Sequence, residues 1–322
     1  MPGEAELCLA IDIGGTKTAL ALIDRQGQVR DGIHTFPVPF QADGSASAQG
    51  LIDAIAPFVN RARLLDGNLG GIGLSLCGNV HLLTGEAVLI PNLHWRRVPF
   101  GRMLSQAFGL PVAAATDVRQ ATLAEHTWGA AQGIRYFAWC TVGTGYGGYF
   151  FLDGKLYDGY HGYAGPFGHT TVDEINGYPC GCGRRGCLET FVAGPAIARQ
   201  GQAAVDQGRS PLLSELAAGQ PVTTALVFQA RQAGDPEARR ILEQVVRLIA
   251  INLGGLVNTL DLQRIVLGGG VVNANPDFVP WVDRKIRDYL MSEESRRDLR
   301  VVKESLPNSA LFGAAVDAFT RL

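Results

Sequence analysis

A short apolar run, a glycine turn and a second apolar run occur twice in this sequence, and that recurrence limits the chain to few architectures. Leu7-Cys-Leu-Ala-Ile-Asp12 reads as a buried strand, Ile13-Gly-Gly-Thr-Lys-Thr18 as a turn, and Ala19 to Ile23 as the returning strand, with a further turn at Asp24 to Gly27. Tyr136 to Val142, Gly143-Thr-Gly-Tyr-Gly-Gly148 and Tyr149 to Leu152 repeat the pattern. A tight turn between two strands makes an antiparallel hairpin, unlike the strand-to-helix glycine loop of a Rossmann or Walker fold. The repetition predicts two related halves, each offering a hairpin turn to one cleft.

Strands and helices alternate around these hairpins, so the class is α/β. Residues 45–63 carry Leu51, Ile52, Ile55, Phe58 and Val59 at helical spacing, and Gly70 to Leu76 returns as a strand. Pro111 to Ala115 reads as a strand and Val118 to Trp128 as a helix. Asp235-Pro236 has the N-cap and first-turn residues of a helix that continues through Ile241, Leu242, Val245, Val246, Ile249 and Leu253 as a central buried element. Arg264 to Leu267 is a strand ending in Gly268-Gly-Gly270, and Ala310 to Phe319 a final helix. Gly208 to Ser210 and Asn273 to Pro276 read as ordinary loops. At 322 residues the chain exceeds what one core usually supports, and two domains are expected.

Charge and leader signals exclude several function classes. A net charge of -2 gives no field that would hold nucleic acid or an anionic membrane, so a small metabolite is the better partner. Met1 to Glu6 lacks the basic flank of a secretory leader, and no apolar run reads as long enough to span a bilayer. Cys8, Cys77 and Cys140 stand isolated in apolar runs, which fits reduced thiols and a cytoplasmic protein.

The other three cysteines are clustered. Gly168-His169 is followed eleven residues later by Cys180-Gly-Cys182-Gly-Arg-Arg-Gly-Cys187-Leu188-Glu189. One imidazole and three thiols at this spacing supply the four ligands of a tetrahedral zinc ion, the competing reading being chance clustering of buried cysteines. Four protein ligands fill the shell and leave no position for a reactive water, so the zinc would be structural.

Three glycine-rich stretches lie far apart in the chain: Asp12 to Thr18, with Gly14, Gly15, Thr16 and Lys17; Gly143 to Gly148, with Thr144 and Gly145; and Gly268, Gly269 and Gly270. Glycine lets backbone N–H groups approach phosphate oxygens, and Thr16 and Thr144 add hydroxyl donors. Taken singly, each is an ordinary hairpin in a chain with 41 glycines. Together, with Asp12 ending the first strand where it would hold a water of hydrated Mg²⁺, they favour a nucleoside triphosphate site. Asp117 follows a strand and precedes a helix, at the carboxyl end of the sheet where α/β clefts form. It is placed to accept the proton of an attacking hydroxyl, and equally to cap its helix. Asn92, His169 and Glu189 are further polar groups expected near the cleft.

The blocks Leu7 to Thr18, Pro91-Asn-Leu-His-Trp95, Gly143 to Gly148, Gly165-Pro-Phe-Gly-His169, Cys180 to Glu189 and Val266-Leu-Gly-Gly-Gly-Val271 together resemble the ROK family of repressors and sugar kinases, in family order and over nearly the full length. The resemblance implies an actin-like (ribonuclease H-like) ATPase fold of two α/β domains around a cleft. We expect residues 1–117 and a C-terminal helix at 308–322 to form the smaller domain, and residues 118–307 the larger, zinc-bearing one. The first two glycine turns would face the phosphates of ATP and the third would lie near adenosine. Asp117 would be the general base toward a sugar's primary hydroxyl, and Asn92, Thr116, His169 and Glu189 would contact the sugar. Zinc on one imidazole nitrogen would leave the other for the substrate. The resemblance also implies a homodimer or homotetramer built on the zinc-bearing domain.

Two positions depart from the family pattern. Pro166 stands where the family usually has a glutamate that contacts the C1/C2 side of a hexose, and Thr116 where it has an asparagine for the C3/C4 side. The resemblance implies a kinase of a hexose or hexose-like sugar of the glucokinase kind, the two departures favour an N-acetylhexosamine or otherwise altered sugar as the alternative, and Pro166 prompts a third reading, a catalytically silent sensor. The family's repressors carry an N-terminal helix-turn-helix domain, for which a first strand starting at Leu7 leaves no room.

Overall fold

The first repeat forms the expected hairpin. Strand β1, Leu7–Ile13, pairs antiparallel with β2, Lys17–Asp24, and Gly14 N–H closes the turn on the Lys17 carbonyl at 3.0 Å. The computed structural model describes residues 7–64 and 68–322; the reading made on Met1 to Glu6 lies outside them. Beyond the hairpin lie β3 (His34–Pro37), helix α1 (Ala48–Leu64) and β4 (Leu69–Leu76). Three short strands follow, β5 (Asn79–His81), β6 (Glu86–Ile90) and β7 (Trp95–Val98), then α2 (Phe100–Phe108), β8 (Val112–Thr116) and α3 (Asp117–Thr127). The main sheet has the order β3-β2-β1-β4-β8, with β1, β4 and β8 parallel, so that Ile13, Leu76 and Thr116 reach the same edge together. One face packs Leu9, Ile11 and Leu74 against Leu51, Ile55 and Leu104 of α1 and α2.

The second repeat builds a sheet of the same design. Strand β9, Phe137–Val142, pairs antiparallel with β10, Tyr146–Leu152, and parallel with β12, Arg264–Gly268, which pairs parallel with β13, Arg300–Lys303. With β11, Lys155–Leu156, the order is β11-β10-β9-β12-β13. One hairpin and two parallel neighbours thus recur in the same sequence, which is the duplication the repeat predicts. Helices α4 (Glu189–Val192), α5 (Gly194–Asp206), α6 (Pro211–Ala217), α7 (Thr224–Gln232) and α8 (Pro236–Leu260) precede β12, and α9 (Gly270–Ala274), α10 (Phe278–Ile286) and α11 (Glu293–Asp298) follow it. Asp235 caps α8 as expected, accepting from Ala238 N–H at 2.7 Å.

Three sequence expectations need correction. Tyr146-Gly147-Gly148 is the start of β10, and the turn is only Gly143-Thr144-Gly145. A side chain on Gly148 would collide with the Trp139 carbonyl, so its glycine serves a close approach within the sheet. Asn273 and Ala274 belong to α9 rather than a loop. Helix α8 is long and apolar enough to cross a membrane by length and composition, contrary to the sequence reading. It is nevertheless a core helix, burying Ile241, Leu242, Val245, Val246, Ile249 and Leu253 on one stripe.

The expected domain limit at 117/118 also falls elsewhere. The first compact unit runs to Gly133 and includes Leu156–Ala164 and Glu304–Leu322; the second comprises Ile134–Lys155 and Gly165–Lys303. The reason is α3, which packs against the last helix, α12 (Ser309–Arg321), instead of leaving with the second unit. Two buried carboxylates lock this pairing. Glu125, 0% exposed, accepts from the Ala130, Ser305 and Leu306 N–H groups and from the Ser305 and Ser309 hydroxyls at 2.6–3.2 Å. Asp317, 1% exposed, accepts from Arg119, Gln120 and Arg321 at 2.7–3.1 Å. Buried carboxylates satisfied this fully hold two helices in one register.

Candidate active site

In the first unit the polar groups gather where β1, β4 and β8 end. Asp12 accepts a 2.6 Å hydrogen bond from the Ser75 hydroxyl of the neighbouring strand. Burial pushes the Asp12 carboxyl up to about 6; the Ser75 bond and the Lys17 charge oppose this, and the Asp117 charge adds to it. Asp117 opens α3 at the end of β8. Its Oδ1 accepts from the Thr116 hydroxyl at 3.0 Å and from Val118 N–H at 2.9 Å. Burial again raises its pKa, against the pull of those two bonds. Asn92, in the short turn Pro91–Leu93, lies against the first glycine turn: a side chain on Gly15 would meet the Asn92 Cβ at 2.9 Å. Asp12, Gly14, Gly15, Thr16, Lys17, Asn92, Thr116 and Asp117 are therefore brought to one edge of one sheet. Asp117 is the first helical residue, so the capping position itself belongs to Thr116.

The second unit carries the other groups. A ring nitrogen of His169 and the sulfurs of Cys180, Cys182 and Cys187 lie within 4.8 Å of one another, with Cys182 Sγ and Cys187 Sγ 3.6 Å apart and Cys180 Sγ 3.5 Å from His169 Nδ1. Sulfurs on a tetrahedral zinc at about 2.3 Å lie about 3.8 Å from each other, so the donor set fits that ion, and all three cysteines are free thiols. Because Nδ1 faces the thiols, Nε2 is the ring nitrogen turned from the cluster.

Glu189 joins the cluster to the second glycine turn. Its Oε1 lies 3.7 Å from Cys180 Sγ, and its Oε2 accepts from Tyr146 N–H at 2.9 Å. A Cβ on Gly145 would sit 2.7 Å from that Oε2, so the turn leaves room for the carboxylate only because residue 145 is glycine.

The second and third glycine stretches share a cavity of about 730 Å³, lined by Gly143, Thr144, Gly270, Val271, Phe228 and Gln229 among others. Gly268 ends β12, Gly269 precedes α9 and Gly270 begins it. A concave, mostly apolar hollow with a few amide and hydroxyl groups at its rim suits a nucleoside. Sequence reasoning did not find the helical wall of this cavity, formed by Pro195, Ala198, Thr223 and Thr224. Ser75 was missed for a similar reason: its partnership with Asp12 spans 63 residues, and only the parallel register of β1 with β4 brings them together.

A profile of the ROK family matches residues 8–319. Among curated relatives, a glucokinase of Halalkalibacterium halodurans is 30% identical over 284 residues, covering 88% of this chain and 86% of its own. An N-acetylmannosamine kinase of Escherichia coli SMS-3-5 is 36% identical over 267 residues, covering 82% of each. Among solved structures, a ROK family glucokinase from Streptomyces griseus in complex with glucose and AMPPNP aligns with a TM-score of 0.80 at 28% identity, over 96% of this chain and 98% of its own. A ROK family transcriptional regulator, a homologue of the E. coli MLC protein, aligns at 0.84 and 26% identity, over 98% of this chain and 78% of its own.

Proposed function

The chain belongs to the ROK family and is a sugar kinase of actin-like fold, and we propose that it moves the γ-phosphoryl group of ATP to the primary hydroxyl of a hexose-like sugar with Asp117 as general base. The observation that carries the base assignment is the Asp117 carboxylate at the end of β8. Its Oδ1 is held by Thr116 and Val118, its pKa is raised by burial, and no hydrogen bond to Oδ2 occurs among the described residues. A carboxylate so held presents one free oxygen to a hydroxyl, and burial makes it a stronger proton acceptor than an ordinary carboxylate.

Phosphoryl transfer asks mainly for alignment and charge neutralisation. In this reading the turns at Gly14–Lys17 and Gly143–Gly145 receive phosphate oxygens, and the Gly268–Gly270 cavity takes adenosine. Asp12 holds hydrated Mg²⁺, which would relieve the repulsion between its carboxylate and that of Asp117. Asn92, Thr116, His169 Nε2 and Glu189 bind sugar hydroxyls. Zinc bound by His169, Cys180, Cys182 and Cys187 supplies rigidity rather than Lewis acidity, since four protein donors complete its shell. Those thiolates need a reducing compartment, which supports a cytoplasmic location. A homodimer or homotetramer built on the second unit is the assembly the family resemblance favours. Pro166 offers no side-chain hydrogen bond to a sugar, so an N-acetylhexosamine or other altered sugar stands beside glucose as substrate.

A coupled ATP-consumption screen over hexoses, hexosamines, N-acetylhexosamines and inositols tests this reading. At least one compound should turn over, and Asp117→Asn should lose about 10²- to 10⁴-fold of that rate. Sugar binding without any turnover would favour a sensor instead.

A further inference from the structure

Residues 156–164, which begin with the last residue of β11, belong to the first unit and lead directly into Gly165, where the chain returns to the second unit and makes the turn to His169. Asp158 anchors this segment. Its Oδ1 accepts from Arg119 Nε at 2.8 Å, while Arg119 Nη1 donates to Asp317 Oδ1 at 2.9 Å. Arg119 lies two residues after Asp117 on α3. The segment also closes on itself at the anchor, since Ala164 N–H donates to the Asp158 carbonyl at 3.2 Å. Fastening Asp158 therefore fastens the whole loop, including Tyr160, which is 96% exposed, and the residue that precedes Gly165.

The energetics separate the roles of the two carboxylates. Arg119 is 8% exposed and Asp317 1%, whereas Asp158 is 37% exposed. A guanidinium this buried needs a carboxylate partner, and Asp317 meets that need within the α3–α12 packing. Arg321, 28% exposed, shares the Asp317 carboxylate at 2.7 Å, so Asp158 as the second acid completes the charge balance of the cluster. It also ties an otherwise exposed loop to the helix that begins with the base.

We propose that Asp158 is a positioning residue for sugar binding, holding the closed loop 158–164 on α3 through Arg119 and so fixing the start of the Gly165–His169 turn. The proposal rests on the kinase reading above, with His169 as a sugar contact. Asp158→Asn keeps the Arg119–Asp317 pair and should fold, while loosening the loop, because the bond from Arg119 to its anchor loses the acceptor's charge. A loosened turn holds its imidazole less well against the sugar and leaves the base and the nucleotide cavity as they were.

The test uses the zinc-loaded full chain with the sugar that turns over fastest in the screen. Asp158→Asn should raise KM for the sugar about tenfold, with kcat and the KM for ATP each within about twofold of wild type. Asp158→Glu, able to re-form the pair, should regain most of the loss. Hydrogen exchange should quicken over residues 157–169 in Asp158→Asn and stay unchanged in α12. An unchanged sugar KM, a fall in kcat alone, an equal rise in both KM values, or unchanged exchange over 157–169 would each overturn the proposal. Were the wild type to turn over no sugar, the kinase reading would fall separately, and sugar binding followed by calorimetry replaces KM as the readout.

Discussion

Asp12 is an ionisable group that the fold holds at a cost, and that cost is measurable. Burial and the neighbouring Asp117 charge lift its pKa from an ordinary 3.8 to about 6, in spite of the Ser75 hydrogen bond and Lys17. A carboxyl whose folded-state value is raised contributes stability below pH 3.8 and loses it as pH climbs through about 6. At about 1.4 kcal/mol per pH unit, the gap amounts to about 3 kcal/mol against the folded state at pH 7. Asp12→Asn keeps the shape and an acceptor for Ser75 while removing the charge. The variant should therefore be more stable than wild type by up to about 3 kcal/mol at pH 7 and converge with it near pH 4, while losing kinase activity. Urea unfolding at fixed zinc from pH 4 to 8 provides the assay. Mg²⁺ with a non-hydrolysable ATP analogue should stabilise the wild type more than the variant, because only the wild type offers the carboxylate. A variant no more stable than wild type at pH 7, or a difference that does not shrink toward pH 4, would refute the argument.

Other outcomes follow from the second unit. Elemental analysis should find about one zinc per chain, and Cys187→Ser or chelation should remove it and lower Tm by about 5 °C or more, at about 2–4 °C per kcal/mol for a chain of this size; a metal-free protein with an unchanged melting curve would sink the zinc assignment. Gly145→Ala forces its new methyl toward Glu189 Oε2, 2.7 Å away, and so breaks the carboxylate's bond to Tyr146 N–H. Sugar kcat/KM should fall about tenfold or more, and full activity in this variant would remove Glu189 from the sugar site.

The hairpins, the central helix α8 and the clustering of His169 with three cysteines were legible because each is written in neighbouring residues. A strand-turn-strand pattern, an Asp-Pro helix start and closely spaced cysteines are local signals. The limits of the second turn were misread because glycine marks both a turn and a close approach, and at Gly148 only the Trp139 carbonyl of the paired strand decides between them. The domain division failed for a different reason. Glu125 meets Ser305 and Ser309 across 180 and 184 residues, and Arg119 meets Asp317 across 198, separations at which sequence carries no pairing signal. The same applies to the cavity beside the second and third glycine stretches: its glycines were visible, but its wall of α5 and α7 residues depends on how those helices pack.

The place of α12 bears on how this protein is made. The first unit is begun by β1 and completed by Ser309–Arg321, with the whole second unit encoded between them. A ribosome adding roughly 5–20 residues per second needs on the order of ten seconds or more to pass from Gly133 to Ser309. During that interval the face of α3 that α12 covers, including Arg119 and Glu125, has no native partner from the C-terminal segment. The second unit can meanwhile be synthesised up to Lys303 before that segment appears. A nascent chain of this design should therefore assemble its later-made body first and close its earlier-made one last, leaving Asp12 and Asp117 on an unfinished scaffold until translation is nearly over.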